Sequence, residues 1–155
     1  MSNPAILGDE AVALGAMHAG ISAAYGYPGT PSTEIMEYLQ AVAGSGDADA
    51  PLARWSANEK TAMEEALGTS LCGKRVLVTM KHVGLNVAAD AFMNAALLDI
   101  NGGVVVIVAD DPGMHSSQNE QDSRYYADFA MIPCLEPTSQ QEAYDMTRAA
   151  FDLSE

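Results

Sequence analysis

The sequence is poor in basic residues and has no long apolar run. Only 7 lysines and arginines stand against 21 aspartates and glutamates in 155 residues, which gives a formal net charge of −14 at pH 7. Nucleic-acid binding depends on clustered basic side chains, so this imbalance excludes nucleic acid as a partner. A membrane-spanning helix needs about 20 consecutive apolar residues, and because no run approaches that length we expect no membrane association.

Cysteine is almost absent as well. Cys72 and Cys134 are the two cysteines, too few for a disulfide framework and wrongly spaced for a metal site. Iron–sulfur clusters usually take four thiolates, so none is expected within this chain. The N-terminus lacks the basic-then-apolar pattern of a signal peptide. Together these features predict a cytoplasmic protein.

Two unbroken apolar runs, at 76–80 and 103–109, read as strands that are covered on both faces, as in a parallel sheet. Shorter candidate strands lie at 23–27, 52–55 and 134–136. Helical patterns occupy most of the intervening sequence and are predicted at 9–20, 31–42, 58–73, 86–98, from about 122, and 139–153. The alternation predicts a doubly wound α/β domain with a mainly parallel sheet and helices on both faces.

The sequence predicts the N-cap residues of three helices. Asp9 is expected to cap the first helix and Asn58 the third, and Thr30 followed by Pro31 reads as an N-cap and a first helical residue. The fourth helix, 86–98, is apolar nearly all round, so we expect another subunit or domain to cover it.

Polar segments follow the predicted strands, namely GYPGTPS, SANEK, KHVGLN and DDPGMHSSQNEQDSR. Ligands of open α/β sheets bind at the carboxyl ends of the strands, so these segments should line one edge. No phosphate-binding loop, zinc-ligand pair or serine-hydrolase elbow is present. His82 and His115 are candidate ligand-contacting residues, because both are predicted to lie in polar loops that contain glycine, KHVGLN in the case of His82, and not on a core face.

Two local features have structural and functional interpretations. Asp110, Asp111 and His115 could hold a metal, but two aspartates after a strand more often accept bonds from loop amides, so no metal site is predicted. Glu59, directly after Asn58, could simply be a favourable charge at a helix N-terminus.

Taken together, the chain resembles the thiamine-diphosphate-dependent 2-oxoacid:ferredoxin oxidoreductases, in particular the indolepyruvate type. The resemblance rests on GYPGTPS, on WSANEKTAMEEALGTSLCGKRVLVTMKHVGLN, on VADDPGMHSSQNEQDSRYYA and on LEPTSQQEAYDMTRAAFDLSE. It implies that residues 1–155 form a single domain that binds the aminopyrimidine half of the cofactor. Because the chain stops within helical sequence, we expect it to be truncated from a longer chain.

The resemblance also assigns residues. It implies that Glu59 hydrogen-bonds the pyrimidine ring nitrogen and so prepares the cofactor for deprotonation, with His82 as a second catalytic candidate. Thr30 would approach the substrate carboxylate. The remaining implied contacts are, on the cofactor side, Asn58, Lys81, Gly84 and Asn86, and on the substrate side, Ser32, His115 and Arg124.

The implied reaction is oxidative decarboxylation of an arylpyruvate to an acyl-CoA, with ferredoxin as the electron acceptor. The diphosphate- and magnesium-binding part, with its G-D-G motif, and the cysteine-rich iron–sulfur part have no counterpart in this sequence. We therefore expect this chain to be inactive alone and to act with a beta subunit in an oligomer. The alternatives are a subunit of a split non-oxidative decarboxylase of the sulfopyruvate type, and a non-catalytic assembly module.

Overall fold

The computed structural model describes residues 6–115 and 117–155. The strands are β1 (Ala23–Gly26), β2 (Leu52–Trp55), β3 (Val76–Lys81) and β4 (Val104–Ala109). The helices are α1 (Gly8–His18), α2 (Thr33–Gly44), α3 (Glu59–Leu71), α4 (His82–Ala95), α5 (Arg124–Ala130) and α6 (Gln140–Ser154). The four strands form one parallel sheet in the order β2–β1–β3–β4. This is the predicted doubly wound α/β architecture.

The sheet lies between two layers of helices. One core cluster joins α1, α2 and α6 to the sheet, and the other joins α3 and α4 to the opposite face. Residues 76–80 of β3 are all buried, because β3 has a strand on either side and helices on both faces. That position explains why the sequence of β3 shows no alternation of apolar and polar residues. None of the helices described is both long and apolar enough to cross a bilayer.

The direction in which successive strands are added to the sheet reverses between β1 and β3. The unit β1–α2–β2 extends to one side of β1, whereas β3–α4–β4 extends to the other. The connections leaving the carboxyl ends of β1 and β3 therefore diverge and leave a crevice between them. In open α/β sheets this is where ligands bind.

The start of α2 differs from the prediction that Thr30 caps the helix and Pro31 begins it. The helix begins at Thr33, with Ser32 as its N-cap residue. The backbone N–H and the hydroxyl of Ser32 both donate to Gly29 O, at 2.9 and 2.8 Å. The Thr33 hydroxyl accepts from Gly29 N–H at 3.0 Å. These bonds close a separate turn ahead of the helix, so the predicted start is wrong.

The predicted loop KHVGLN does not form, because α4 begins at His82, directly after the extended residue Lys81. The predicted start at Asn86 is therefore wrong by about one turn. The description of this helix as apolar nearly all round is also wrong, since Asn86, Asp90 and Asn94 form an exposed polar stripe one helical turn apart. That another subunit covers α4 stays a prediction.

Two further expectations are corrected. Residues 134–136 form no strand, and the flanking Pro133 and Pro137 have no backbone N–H with which to join the sheet. The N-cap residue of α1 is Leu7, whose N–H donates to Glu10 Oε2 at 2.8 Å, so Asp9 lies within the first turn and does not cap it. By contrast, the predicted cap Asn58 is confirmed, because its Oδ1 accepts from Thr61 N–H at 2.9 Å.

Candidate functional site

The four predicted polar segments lie at one edge of the sheet. Residues 27–32 follow β1, residues 56–58 follow β2, the first turn of α4 follows β3, and residues 110–123 follow β4. Because all four strands are parallel, their carboxyl ends share this edge. The expectation that these segments meet there is confirmed.

Glu59 is buried at this edge and packs against Gly84. As the first residue of α3 it is 9% exposed, and a methyl group at Gly84 would lie 2.6 Å from its Oε1 and 2.7 Å from its Cγ. The bond from Thr61 N–H to Asn58 fixes the start of α3 and so the direction in which Glu59 leaves the helix. The first turn of α4 thus packs directly against the Glu59 side chain at Gly84.

The Glu59 carboxyl group has no hydrogen-bond or ion-pair partner within residues 6–115 and 117–155. The neighbouring Lys60 points elsewhere, with its Nζ 3.1 Å from Asp90 and 3.9 Å from Glu64. A nearly buried carboxyl group without a partner is unfavourable, and buried polar groups in folded proteins are almost always paired. The arrangement therefore leaves the Glu59 carboxyl group available to an external hydrogen-bonding group.

The turn between β1 and α2 carries the predicted substrate residues. Thr30 is exposed, whereas Ser32 is 1% exposed and its hydroxyl is engaged with Gly29. The aliphatic stem of Lys81 packs on the same turn, and a methyl group at Gly29 would lie 3.0 Å from Lys81 Cδ. Glycine at position 29 thus lets the end of β3 approach this turn closely. Thr30 follows Gly29 directly in this turn.

His82 is fully buried, and its Nε2 lies 3.0 Å from the backbone oxygen of Asn119. Asn86 is exposed one turn further along α4, where its Nδ2 donates to Gln121 Oε1 at 2.9 Å. The Tyr126 hydroxyl donates to Asn86 Oδ1 at 2.6 Å. Both residues thus contact the segment after β4, and their assigned roles in catalysis and cofactor binding stay predictions.

His115 and Arg124 are exposed on the β4–α5 side. The His115 backbone N–H lies 3.4 Å from Asp111 Oδ1, and Arg124 pairs with Asp122 at 2.8 Å and with Glu136 at 2.9 Å. In the described part of the chain, neither side chain contacts Glu59 or Thr30. Their assignment to the substrate stays a prediction.

The two aspartates after β4 accept hydrogen bonds from their own loop, as the structural interpretation predicts. Asp110 accepts from the backbone N–H of Ser123 at 2.9 Å and also from its hydroxyl. Asp111 accepts from the Ser117 hydroxyl at 2.8 Å. Across the described residues, no group of three histidine, cysteine or acidic side chains is placed to hold a metal ion.

Sequence reasoning missed Gln121 and Tyr126, which connect the first turn of α4 to the segment after β4. Gln121 lies within a quoted motif and could have been singled out, but Tyr126 becomes relevant only when α4 and α5 are placed together. A carboxyl pair was also missed. Burial, and secondarily the charge of Glu34, raise the pKa of Asp9 to about 6, while Glu34 Oε2 is buried without a partner among the described residues.

Comparison with known proteins identifies the family. Residues 14–155 match the family described as pyruvate flavodoxin/ferredoxin oxidoreductase, thiamine diphosphate-binding. The chain belongs to this family. A parallel α/β domain with a buried glutamate at its carboxyl edge is consistent with that membership.

Among curated proteins, the chain is similar to indolepyruvate oxidoreductase subunit IorA from two archaea. It is 52% identical to the Archaeoglobus fulgidus subunit over 152 residues, covering 97% of this chain and 24% of the relative. It is 51% identical to the Pyrococcus abyssi subunit over 150 residues, covering 97% and 23%. The chain therefore spans about a quarter of the length of these relatives.

Solved structures share the fold, and one of them is a 2-oxoacid oxidoreductase. A chain of 2-oxoglutarate:ferredoxin oxidoreductase from Magnetococcus marinus, with 2-oxoglutarate, coenzyme A and succinyl-CoA bound, superimposes with a TM-score of 0.77 at 20% sequence identity. The match covers 97% of this chain and 27% of that one.

Proposed function

We propose that this chain forms the aminopyrimidine-binding half of a thiamine diphosphate site in an indolepyruvate-type 2-oxoacid:ferredoxin oxidoreductase. The position of Glu59 carries the proposal: the residue is 9% exposed at the carboxyl edge of the sheet, and its carboxyl group has no partner among the described residues. Family membership supports the cofactor, and the names of the archaeal relatives support an arylpyruvate substrate. Ferredoxin and coenzyme A are supported by the solved structure, which is a ferredoxin oxidoreductase with coenzyme A bound. The same names favour an oxidoreductase over a sulfopyruvate-type decarboxylase or an assembly module.

Thiamine diphosphate, when bound, supplies the electron sink that allows a 2-oxoacid to lose its carboxyl group. The part of Glu59 is to hold a proton between its carboxyl oxygen and the pyrimidine ring nitrogen. Gly84 leaves the space in which the carboxyl group lies, and Asn58 fixes the helix start from which it projects. Such a bond is stronger in a crevice from which water is excluded than in solution.

The substrate carboxylate would bind at the turn before α2. The N–H groups and partial positive charge at the start of this 12-residue helix suit an anion, and Thr30 lies just ahead of them, although Glu34 in the first helical turn opposes part of that positive charge. Lys81 packs beside the same turn and would add positive charge. Ser32, His115 and Arg124 remain candidates for contacts with the rest of the substrate.

The remaining parts of the enzyme lie outside this chain in the proposal. The diphosphate, magnesium and iron–sulfur clusters would be held by further domains or by a beta subunit, and the complete enzyme would be an oligomer. This chain alone would then have no turnover.

The proposal is tested by Glu59→Gln in the full-length enzyme. Glutamine keeps the size but cannot exchange the proton, so turnover and the exchange of the C2 hydrogen of bound cofactor should both fall by ~10²–10⁴-fold. Glu64→Gln is the matched control on the same helix, because Glu64 is exposed and makes only a 3.9 Å ion pair with Lys60. Equal C2 exchange rates in wild type and Glu59→Gln would rule out the assigned role.

A further inference from the structure

We infer that His82 is a positioning residue, which fixes the segment 117–123 beside the site through a hydrogen bond from its ring to Asn119. The expected effect of His82 on substrate binding rests on the proposed function. The attachment of the segment 117–123 by His82 rests only on contacts within this chain.

The first step is the protonation of the His82 ring. Nε2 lies 3.0 Å from Asn119 O and 3.2 Å from Asn119 Oδ1. A backbone carbonyl oxygen can only accept a hydrogen bond, so Nε2 must carry a hydrogen and donate it. Nδ1 is buried without a partner among residues 6–115 and 117–155. One ring nitrogen is therefore committed to a structural bond and the other is shielded from solvent, which suits a fixed anchor better than a proton relay.

A second connection reinforces the first. Gln121 Nε2 donates to His82 O at 3.2 Å, and Gln121 Oε1 accepts from Asn86 Nδ2 at 2.9 Å. Asn86 in turn accepts from the Tyr126 hydroxyl at 2.6 Å. The segment is thus attached to both ends of the first turn of α4, on either side of Gly84.

The same turn of α4 positions Glu59. Gly84 contacts the Glu59 carboxyl group, and His82 and Asn86 hold the segment that follows Ser117. The start of α3 and the segment 117–123 are therefore both held by the first turn of α4. His82 thus sets the distance between Glu59 and the segment 117–123.

The experiment measures hydrogen–deuterium exchange of residues 117–123 in the full-length protein without cofactor, by mass spectrometry. His82→Leu fills the volume but cannot donate, so exchange in this segment should rise about threefold to tenfold, the scale set by one hydrogen bond. His82→Gln keeps an N–H donor and should restore most of the protection. Asn119→Ala is the matched control, because it keeps the backbone oxygen that accepts the 3.0 Å bond.

A second variant covers the case in which His82→Leu fails to fold. Gln121 is only partly buried, so Gln121→Ala should fold and should raise exchange in the same segment. Unchanged local exchange in Gln121→Ala and in any folded His82 variant would overturn the inference. A rise spread equally over the whole protein would also overturn it, since that pattern reports only lower global stability.

Kinetics of the loaded enzyme separate anchoring from proton transfer. Anchoring predicts a higher KM for the 2-oxoacid in His82→Leu, and His82→Gln, which keeps the N–H donor, should restore KM towards wild type. Loss of C2 exchange in both His82 variants, with wild-type deuterium uptake, would instead make His82 a proton-transfer group. The deuterium result stands even if Glu59→Gln leaves C2 exchange unchanged, so the inference and the proposed function can fail separately.

Discussion

At the scale of single residues, the absence of a side chain at position 84 decides where the Glu59 carboxyl group can lie. Any β-carbon there would approach Glu59 Oε1, Cγ and Cδ to within 2.6, 2.7 and 2.9 Å. Glycine in a helix interior is otherwise unfavourable by about 0.5–1 kcal/mol relative to alanine. Glycine at position 84 therefore makes α4 less stable than alanine would, but it leaves space for the Glu59 side chain.

Gly84→Ala should therefore lose function without the stabilisation that alanine usually gives a helix. We expect the clash with Glu59 to lower the free energy of unfolding by about 1–3 kcal/mol and to slow C2 exchange of bound cofactor at least tenfold. Gly68→Ala is the control, because Gly68 lies within α3 and has no neighbour within 4 Å of the added methyl group. Thermal unfolding should show Gly68→Ala to be stabilised by about 0.5–1 kcal/mol. Equal behaviour of the two alanine variants would contradict the packing described.

At the scale of elements, the first turns of α1 and α2 bring two acids, Asp9 and Glu34, close together. Asp9 is half-buried, and its pKa is raised to about 6 by burial first and by Glu34 second. An acid whose pKa is higher in the folded state stabilises the fold only while it is protonated. The amount by which Asp9 lowers the free energy of unfolding grows as the pH rises from about 4 to about 6 and is constant above that.

Asp9→Asn should stabilise the protein at pH 7 by about 1 kcal/mol, after allowance for solvent screening, and should have little effect at pH 3.5. Urea unfolding at the two pH values measures this difference. Glu10→Gln is the control of opposite sign, because Glu10 accepts from Leu7 N–H at the start of α1 and its charge favours that position. If Asp9→Asn were equally stable or less stable at pH 7, the unfavourable burial of Asp9 would be refuted.

Elements whose signals are local could be predicted from the sequence. The apolar runs of β3 and β4 and the cap of α3 at Asn58 depend on residues close in the chain, and all three are confirmed. The starts of α2 and α4 could not be read locally. The first depends on the turn that Ser32 closes, and in the second Gly84 suggested a loop although it lies inside a helix against Glu59.

The site shows the same division. The resemblance pointed to Glu59, but no pattern in the sequence indicated that this residue would be largely buried with no partner for its carboxyl group among the described residues. Gln121 and Tyr126 act only through contacts between segments about 35 and 40 residues apart. Such contacts follow from the packing of α4 against α5 and are not encoded in either segment alone.

At the scale of the whole molecule, charge limits which half of the cofactor this chain can bind. Seven basic residues face 21 acidic ones. Ion pairs with carboxylates already involve the following basic residues: Arg54, Lys60, Arg75 and Arg124. A diphosphate group requires concentrated positive charge or a metal ion, and this chain offers little of the first.

Thiamine diphosphate should therefore bind the isolated chain weakly or undetectably, even with magnesium. Isothermal titration of residues 1–155 with both measures this directly, and the full-length enzyme with its partner subunit is the positive control. Tight binding to the isolated chain would mean that the diphosphate is held here and that the division into two halves is wrong.

The contact between Glu59 and Gly84 also constrains how the sequence can change over generations. A side chain can enter position 84 only after the glutamate has been lost or shortened, and a glutamate can return to position 59 only if glycine is already present at 84. A lineage that lost both would need two substitutions in a fixed order to recover the pair. We therefore expect glycine at position 84 to accompany glutamate at position 59, although the two positions lie on different helices.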